Sequence, residues 1–286
     1  LYPMRHRLVL LMICFSVTAQ SQWLQKKNEA YVKVGVWYVE ADEHYTSTGK
    51  KDPNATRGFF NTHLYVKYGL NDKISLIAYV PFFARNYQNR LVSMHTGETL
   101  AEGESENSLG DINIGAEVFL GSVNQWSFST SLTLGLPTGE DAGGSDQSYQ
   151  TGDGEFNQLL RLHSGVSYAI GSQRFYSKIS AGFNNRTEGF SDEWSIKTEI
   201  GTGLLSKKLW VIGRLGTLQS LHNGSLNATN SEGSIFANNV EYTNIGSELI
   251  YKVSDKISLS ASYTSTLSGK IIYTAPAWSG GISMQL

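Results

Sequence analysis

From Phe60 onward the chain alternates with a period of two. Phe60, Thr62, Leu64, Val66, Tyr68 and Leu70 fall on one face of an extended strand, while Asn61, His63, Tyr65, Lys67 and Gly69 fall on the other. The same split returns with Ile74, Leu76, Ala78, Val80 and Phe82, and again with Ile112, Ile114, Ala116, Val118 and Leu120 set against Asp111, Asn113, Gly115 and Glu117. It is almost pure where Trp126, Phe128, Thr130, Leu132, Leu134 and Leu136 oppose Ser127, Ser129, Ser131, Thr133 and Gly135. Further strands are predicted to start near Ala30, Phe156, Phe175, Trp194, Leu209, Thr243, Ile257 and Ala277, which brings the expectation to about 12. A strand with one apolar and one polar face suits a two-layer sandwich or a membrane barrel.

The connections separate these two. Asn71 to Lys73, Gly121 to Gln125, Gly171 to Gln173, Ser206 to Lys208 and Ser254 to Lys256 read as tight polar turns, and they alternate with longer polar stretches. Those stretches are Glu40 to Gly58, Arg85 to Ser108, Thr138 to Glu155 and Ser220 to Asn239, with shorter ones at Asn185 to Asp192 and Ser265 to Tyr273. Tight turns at one end and long loops at the other are the habit of outer-membrane barrels. Aromatics gather at strand ends, Tyr68, Trp126, Tyr168, Phe175 and Tyr251 at one rim and Tyr38, Phe82, Phe156, Phe183 and Trp194 at the other, as interfacial girdles would. The expected fold is all-β, a transmembrane up-and-down antiparallel barrel forming one domain over residues 23–286.

The N-terminus says how such a chain would reach that membrane. Arg5 and Arg7 precede an apolar run from Leu8 to Val17 and a small-residue stretch ending near Gln22, the pattern of a signal peptide over residues 1–22, with Leu1 to Pro3 lying before the start Met. Its apolar run is too short for the roughly 20 residues of a spanning helix. The expected localisation is therefore the outer membrane of a Gram-negative bacterium. Only about ten residues would then precede the first strand, so a gate is expected from outer loops such as Arg85 to Ser108 or Thr138 to Glu155 folding inward.

Composition adds little beyond this. The 29 glycines, 15 tyrosines and 5 prolines of the 286 residues fit many strands joined by flexible turns. Cys14, the only cysteine, lies inside the signal, so the mature chain is expected to lack disulfides and thiolate chemistry. Loss of Arg5 and Arg7 takes the basic count from 23 to 21 against 25 acids, a formal net charge of −4 that argues against a nucleic-acid partner.

Two segments carry a resemblance: Ser108-Leu109-Gly110-Asp111-Ile112-Asn113-Ile114-Gly115-Ala116, and Leu134-Gly135-Leu136-Pro137-Thr138-Gly139 followed by Thr151-Gly152-Asp153-Gly154-Glu155. They resemble the outer-membrane barrel family named for the meta-pathway of phenol degradation, whose members are similar to porin-like channels for hydrophobic or aromatic compounds. The resemblance implies a transporter. The final strand departs from common outer-membrane practice by ending on Leu286 rather than on an aromatic residue.

Catalytic chemistry finds few candidates. Outer-membrane lipid hydrolases of similar size use a serine, a histidine and an asparagine, but the adjacent pair His163 and Ser164 must point to opposite faces of a strand. His222 and Asn223 fall in a solvated loop. Asp141, Asp146 and Asp153 lack the spacing of a calcium loop. No enzyme, metal or cofactor is expected. The inward face holds the residues of interest, and Lys33, His63, Lys67, Asp111, Glu117, Arg161, His163, Lys178, Lys197, Glu199, Arg214, Glu248 and Lys252 are expected to line a lumen. Expected partners are outer-membrane lipids, small-molecule solutes and, during biogenesis, the barrel-assembly machinery. The expected function is a passive outer-membrane channel, the alternatives being a structural or surface-binding barrel or a lipid hydrolase.

Overall fold

The computed structural model describes residues 24–226 and 234–286. The expected signal segment lies outside the described residues. Within them the ordered elements are β1 (Ala30–Tyr45), β2 (Lys51–Asn71), β3 (Ile74–Gln88), the short β4 (Leu91–Val92), β5 (Thr99–Ala101) and β6 (Glu104–Ser108), β7 (Ile112–Val123) and β8 (Trp126–Leu136). There follow β9 (Asn157–Ile170), β10 (Gln173–Asn185), β11 (Glu193–Leu204), β12 (Leu209–Ser220), β13 (Glu241–Lys252), β14 (Ile257–Lys270), the short β15 (Ile272–Tyr273) and β16 (Ala277–Gln285).

All but the four short strands make a closed antiparallel barrel of 12 among the described residues, because β1 pairs with β2 on one side and with β16 on the other. At the seam Leu286 N–H donates to the Ala30 carbonyl at 2.8 Å and Ala30 N–H donates to the Leu286 carbonyl at 3.0 Å. Closure satisfies every edge, which lipid demands because it offers no hydrogen bonds to an open strand.

The predicted faces hold through the barrel wall. Outward Leu132, Leu160, Leu162, Ile200, Leu215, Ile245, Leu249 and Ile282 are exposed, while inward Ser129, Ser131, Glu117, Ser180, Ser195 and Ser283 are buried. At the tight-turn end Asn124 adopts φ 54° and Gly171 φ 60°, left-handed conformations that let two-residue connections reverse the chain. The girdles contain packed pairs, Tyr168 stacking on Phe175 at 5.8 Å and Tyr263 meeting Trp278 edge-on at 4.7 Å.

The outer loops differ from expectation. Most of the stretch from Glu40 to Gly58 is strand, since β1 runs to Tyr45 and β2 starts at Lys51. Likewise β3 runs to Gln88 and pairs with β6, and β14 runs to Lys270. The wall rises beyond the predicted strand ends, where strands keep their hydrogen bonds and part of their inner face is covered by a loop. Polar sequence there marks the end of the membrane, not the end of the strand.

A core was not expected inside the barrel, yet the outer half of the lumen contains one. Inward Val39, Ala41, Phe59 and Tyr273 are buried against Ile235 and Phe236, and Tyr45, Ile271 and Ile272 against Ala237 and Val240. Residues 234–240 of the loop before β13 thus fold into the barrel as an apolar plug. Phe236 meets Phe59 edge-on at 5.4 Å, and Phe59 lies 5.8 Å from Trp37. Asn238, 1 % exposed, fixes the plug: its Oδ1 accepts from the Ser191 N–H at 2.9 Å and its Nδ2 donates to the Leu226 carbonyl at 2.6 Å. Of the two stretches expected to fold inward, Thr138 to Glu155 buries Tyr149 and Thr151, sets Gln150 3.5 Å from the plug residue Ser234 and lines the cavity with Asp153 and Glu155. The hairpin of β4 and β5 in the Arg85 to Ser108 stretch instead stands exposed, with Leu100 and Met94 in solvent.

Candidate functional site

Below the plug, charged side chains from neighbouring strands meet across the lumen. Alternation sends every second residue inward, so β2, β7 and β8 place Lys67, Glu117 and Ser129 together. Lys67 Nζ donates to Glu117 Oε2 at 2.6 Å, and Ser129 Oγ donates to Glu117 Oε1 at 2.7 Å. A second network spans β10 to β13 and crosses to β1. Arg214 donates to Glu199 at 2.7 Å and to Glu248 at 2.6 Å, Tyr176 OH donates to Glu199 at 2.6 Å, and Lys33 lies 3.6 Å from Glu248. Such pairs brace a wall that has no packed core at this level.

The remaining expected residues divide by position. His63 sits beside Asn61, 2.9 Å from its Oδ1, with its ring 4.9 Å from that of Tyr79. His163 lies between two serines, Nε2 at 3.0 Å from Ser131 Oγ and Nδ1 at 2.8 Å from Ser180 Oγ, while Ser164 points away to the outer face. Lys178 lies in the field of Glu117. Lys252 is exposed at the tight-turn end of β13, away from these networks. Arg161 and Lys197 project into the lumen from β9 and β11, and no carboxylate among the described residues pairs with either.

Asp111 lies at the outer rim, where the two sequence motifs meet. Its Oδ1 accepts from the N–H groups of Thr138 at 3.1 Å and Gly139 at 2.9 Å, and its Oδ2 from that of Asp153 at 2.8 Å. Thr138 Oγ1 donates to the Gly110 carbonyl at 2.8 Å. The Gly-Asp, Pro-Thr-Gly and Thr-Gly-Asp-Gly pieces therefore fold into one hydrogen-bonded knot that shapes the loop from Thr138 to Glu155.

Arg186, which no sequence pattern singled out, holds that loop to the turn before β11. Its guanidinium binds Glu155, Glu193 at 2.8 Å and Asp153 at 3.1 Å, and lies 4.3 Å from the Phe190 ring centroid. Burial and the neighbouring Glu155 carboxylate push the Asp153 carboxyl up to about 8, although Arg186 draws it down. Asp146 serves a turn, accepting from the Ser148 N–H at 3.0 Å. No group of three or more potential metal ligands occurs among the described residues.

Between this cluster, the plug and the lumen charges lies a cavity of about 480 Å³. One wall is apolar, formed by Trp37, Val39, Tyr273, Ala275, Ala277 and the plug residue Ile235; the other is polar, formed by Asn157, Asn184, Asn244, Thr264 and the Arg186 cluster.

No family model matches the sequence, and no curated protein matches it. Solved structures match the fold. An outer membrane channel from Pseudomonas putida F1 superposes with a TM-score of 0.61 at 13% identity, over 92% of this chain and 97% of that one. The beta domain of the Bordetella autotransporter BrkA does so with a TM-score of 0.51 at 12% identity, over 90% of this chain and 100% of that domain. Both are outer-membrane β-barrels, and this chain shares that architecture.

Proposed function

We propose that the protein is a passive channel of the bacterial outer membrane that admits small molecules through a narrow, loop-gated lumen. The observation that carries this reading is the inward face itself: it is lined by charged side chains, and a cavity of about 480 Å³ lies on their outer side. Eight strands give a bore that side chains can fill and 16 to 18 a wide aqueous channel, so a barrel of 12 strands admits small solutes slowly. The apolar cavity wall and the resemblance of the Gly-Asp and Pro-Thr-Gly segments to the phenol-pathway barrels both favour solutes with an apolar body.

The arrangement around His163 supports a hydrolase less than a channel. His163 has a serine on each ring nitrogen, and no carboxylate among the described residues hydrogen-bonds to it, whereas acyl transfer needs an oriented base. The plug favours a second reading, a barrel that braces the membrane or binds at its surface without transport, because it closes the outer half of the lumen.

Liposome swelling with sugars, salts and small aromatic acids and alcohols tests the channel. Slow passage of small solutes and exclusion of large ones is expected. Failure of every solute to pass, in the intact protein and in a variant whose residues 234–240 are replaced by a Gly/Ser linker, would replace transport with the second reading.

A further inference from the structure

Lumen cations outnumber the carboxylates that could neutralise them. Glu117, Glu199 and Glu248 are taken by Lys67, Arg214 and Lys33, and Lys178 shares the field of Glu117. Arg161 and Lys197 are left, two cations on β9 and β11 with only β10 between them and no carboxylate partner among the described residues. A lumen cation without a counter-charge is an arrangement that a charge of opposite sign would relieve, and two from nearly adjacent strands the more so.

Arg161 is seated over a glycine, and Lys197 lies over another at ordinary contact distance. A Cβ at Gly182 would stand 2.9 Å from Arg161 Cγ and 3.1 Å from its Nε, and a Cβ at Gly216 would stand 3.8 Å from Lys197 Cγ. Gly182 is the register partner of Arg161, and Gly216 that of Lys197, so each long chain lies across its neighbour strand. Arg161 Nε is buried with no hydrogen-bond partner.

The glycines also fix the height of the pair. Asn184 and Leu218, which line the cavity, are the next inward positions above Gly182 and Gly216 on the same strands, about 7 Å further out. Asn244, another lining residue, pairs with Gly216 and meets its edge: its Oδ1 lies 2.8 Å from the Gly216 Cβ position. The two cations therefore lie just inward of the cavity, below its lining residues. Its apolar wall stands above them, and the carboxylates around Arg186 occupy the outer polar side.

We infer that Arg161 and Lys197 form a binding subsite for the anionic head of a small amphipathic carboxylate whose apolar body rests on Trp37, Val39 and Ala277. The outer carboxylates set the orientation, since they repel the head and direct it inward. This inference deepens the channel reading and rests on it, naming the class of solute that pauses in the lumen.

Calorimetric titration of the detergent-folded, full-length protein with hexanoate, hexanol and hexylammonium tests it. Hexanoate should bind most tightly, and the double variant Arg161→Gln/Lys197→Gln should lose about tenfold or more in affinity, as expected for removing charge-assisted hydrogen bonds. Arg161→Lys, which keeps the charge, should lose less. Folding of each variant is checked by its heat-modifiable gel mobility. Equal binding of hexanoate and hexylammonium, or unchanged hexanoate affinity in a folded double variant, would overturn the subsite. Should the double variant not fold, single Lys197→Gln, at the more exposed position, gives the same readout. Permeation without hexanoate binding removes this inference and leaves the channel; binding without permeation removes the channel and leaves the site.

Discussion

The Asp153 carboxyl stands well above the ordinary aspartate range. Burial and Glu155 push its carboxyl up to about 8, far above the ordinary 3.8. A group whose folded value is raised contributes stability below its unfolded value and loses it as pH rises through the folded one. Docking of the Thr138 to Glu155 loop on Arg186 should accordingly weaken between about pH 4 and 8 and level off above. The Thr187 amide reports it, because it donates to Glu155 Oε2 at 2.8 Å. Its exchange protection, corrected for intrinsic rate, should fall over that range in the native protein and stay flatter in Asp153→Asn; equal slopes in both would remove Asp153 as the cause. Little of this was legible beforehand. Asp153 stood in a recognisable motif, but Arg186 lies 33 residues away in the chain, and nothing in local spacing joins the two. Asp111 shows the same limit: alternation put it on the inward face, while its carboxylate is taken by loop N–H groups 27, 28 and 42 residues on.

Strands are the scale at which sequence and structure agree best, because lipid on one side and water on the other force a period of two on every crossing segment. The expected starts at Ile74, Ile112, Trp126, Leu209, Ile257 and Ala277 coincide with β3, β7, β8, β12, β14 and β16. Agreement ends above the girdle: there β1 and β2 remain paired through His44 and Asp52 with no outward apolar stripe to betray them. The faces themselves can be tested. Leu132 is outward, 47 % exposed and flanked by Ala116 and Leu160 on neighbouring strands, so Leu132→Arg should cost about 2 to 4 kcal/mol near the midplane and lower the folded fraction. Arg161→Ser removes an inward, unpaired charge and should leave that fraction intact. Gel mobility before and after heating, on protein folded in vesicles, compares them. Normal folding of Leu132→Arg beside failure of Arg161→Ser would mean that the two faces are reversed.

For the whole molecule the bore is set by strand number and then narrowed by what folds into it. Strand count could be read from the sequence, and with it a lumen of intermediate width. The plug could not, because Ile235, Phe236 and Ala237 are a short apolar run within a polar loop, and Val39, Ala41 and Phe59 on the wall look misplaced until the plug covers them. Together they were the available signal: apolar residues on an inward face need an apolar partner inside. Removing that partner should open the outer half of the lumen. Replacement of residues 234–240 by a Gly/Ser linker of equal length should raise single-channel conductance in planar bilayers. Phe236→Asp should do the same by a different route, since a carboxylate set against Phe59 and Trp37 gives up its solvation without a counter-charge and drives the plug out. The wall should survive both changes, as its strand pairing and lumen ion pairs lie outside the segment. Conductance that rises in both variants with unchanged folding locates the barrier in the plug. Conductance unchanged in both would move it inward, to the level where Lys33, Glu248, Arg214 and Glu199 cross the bore.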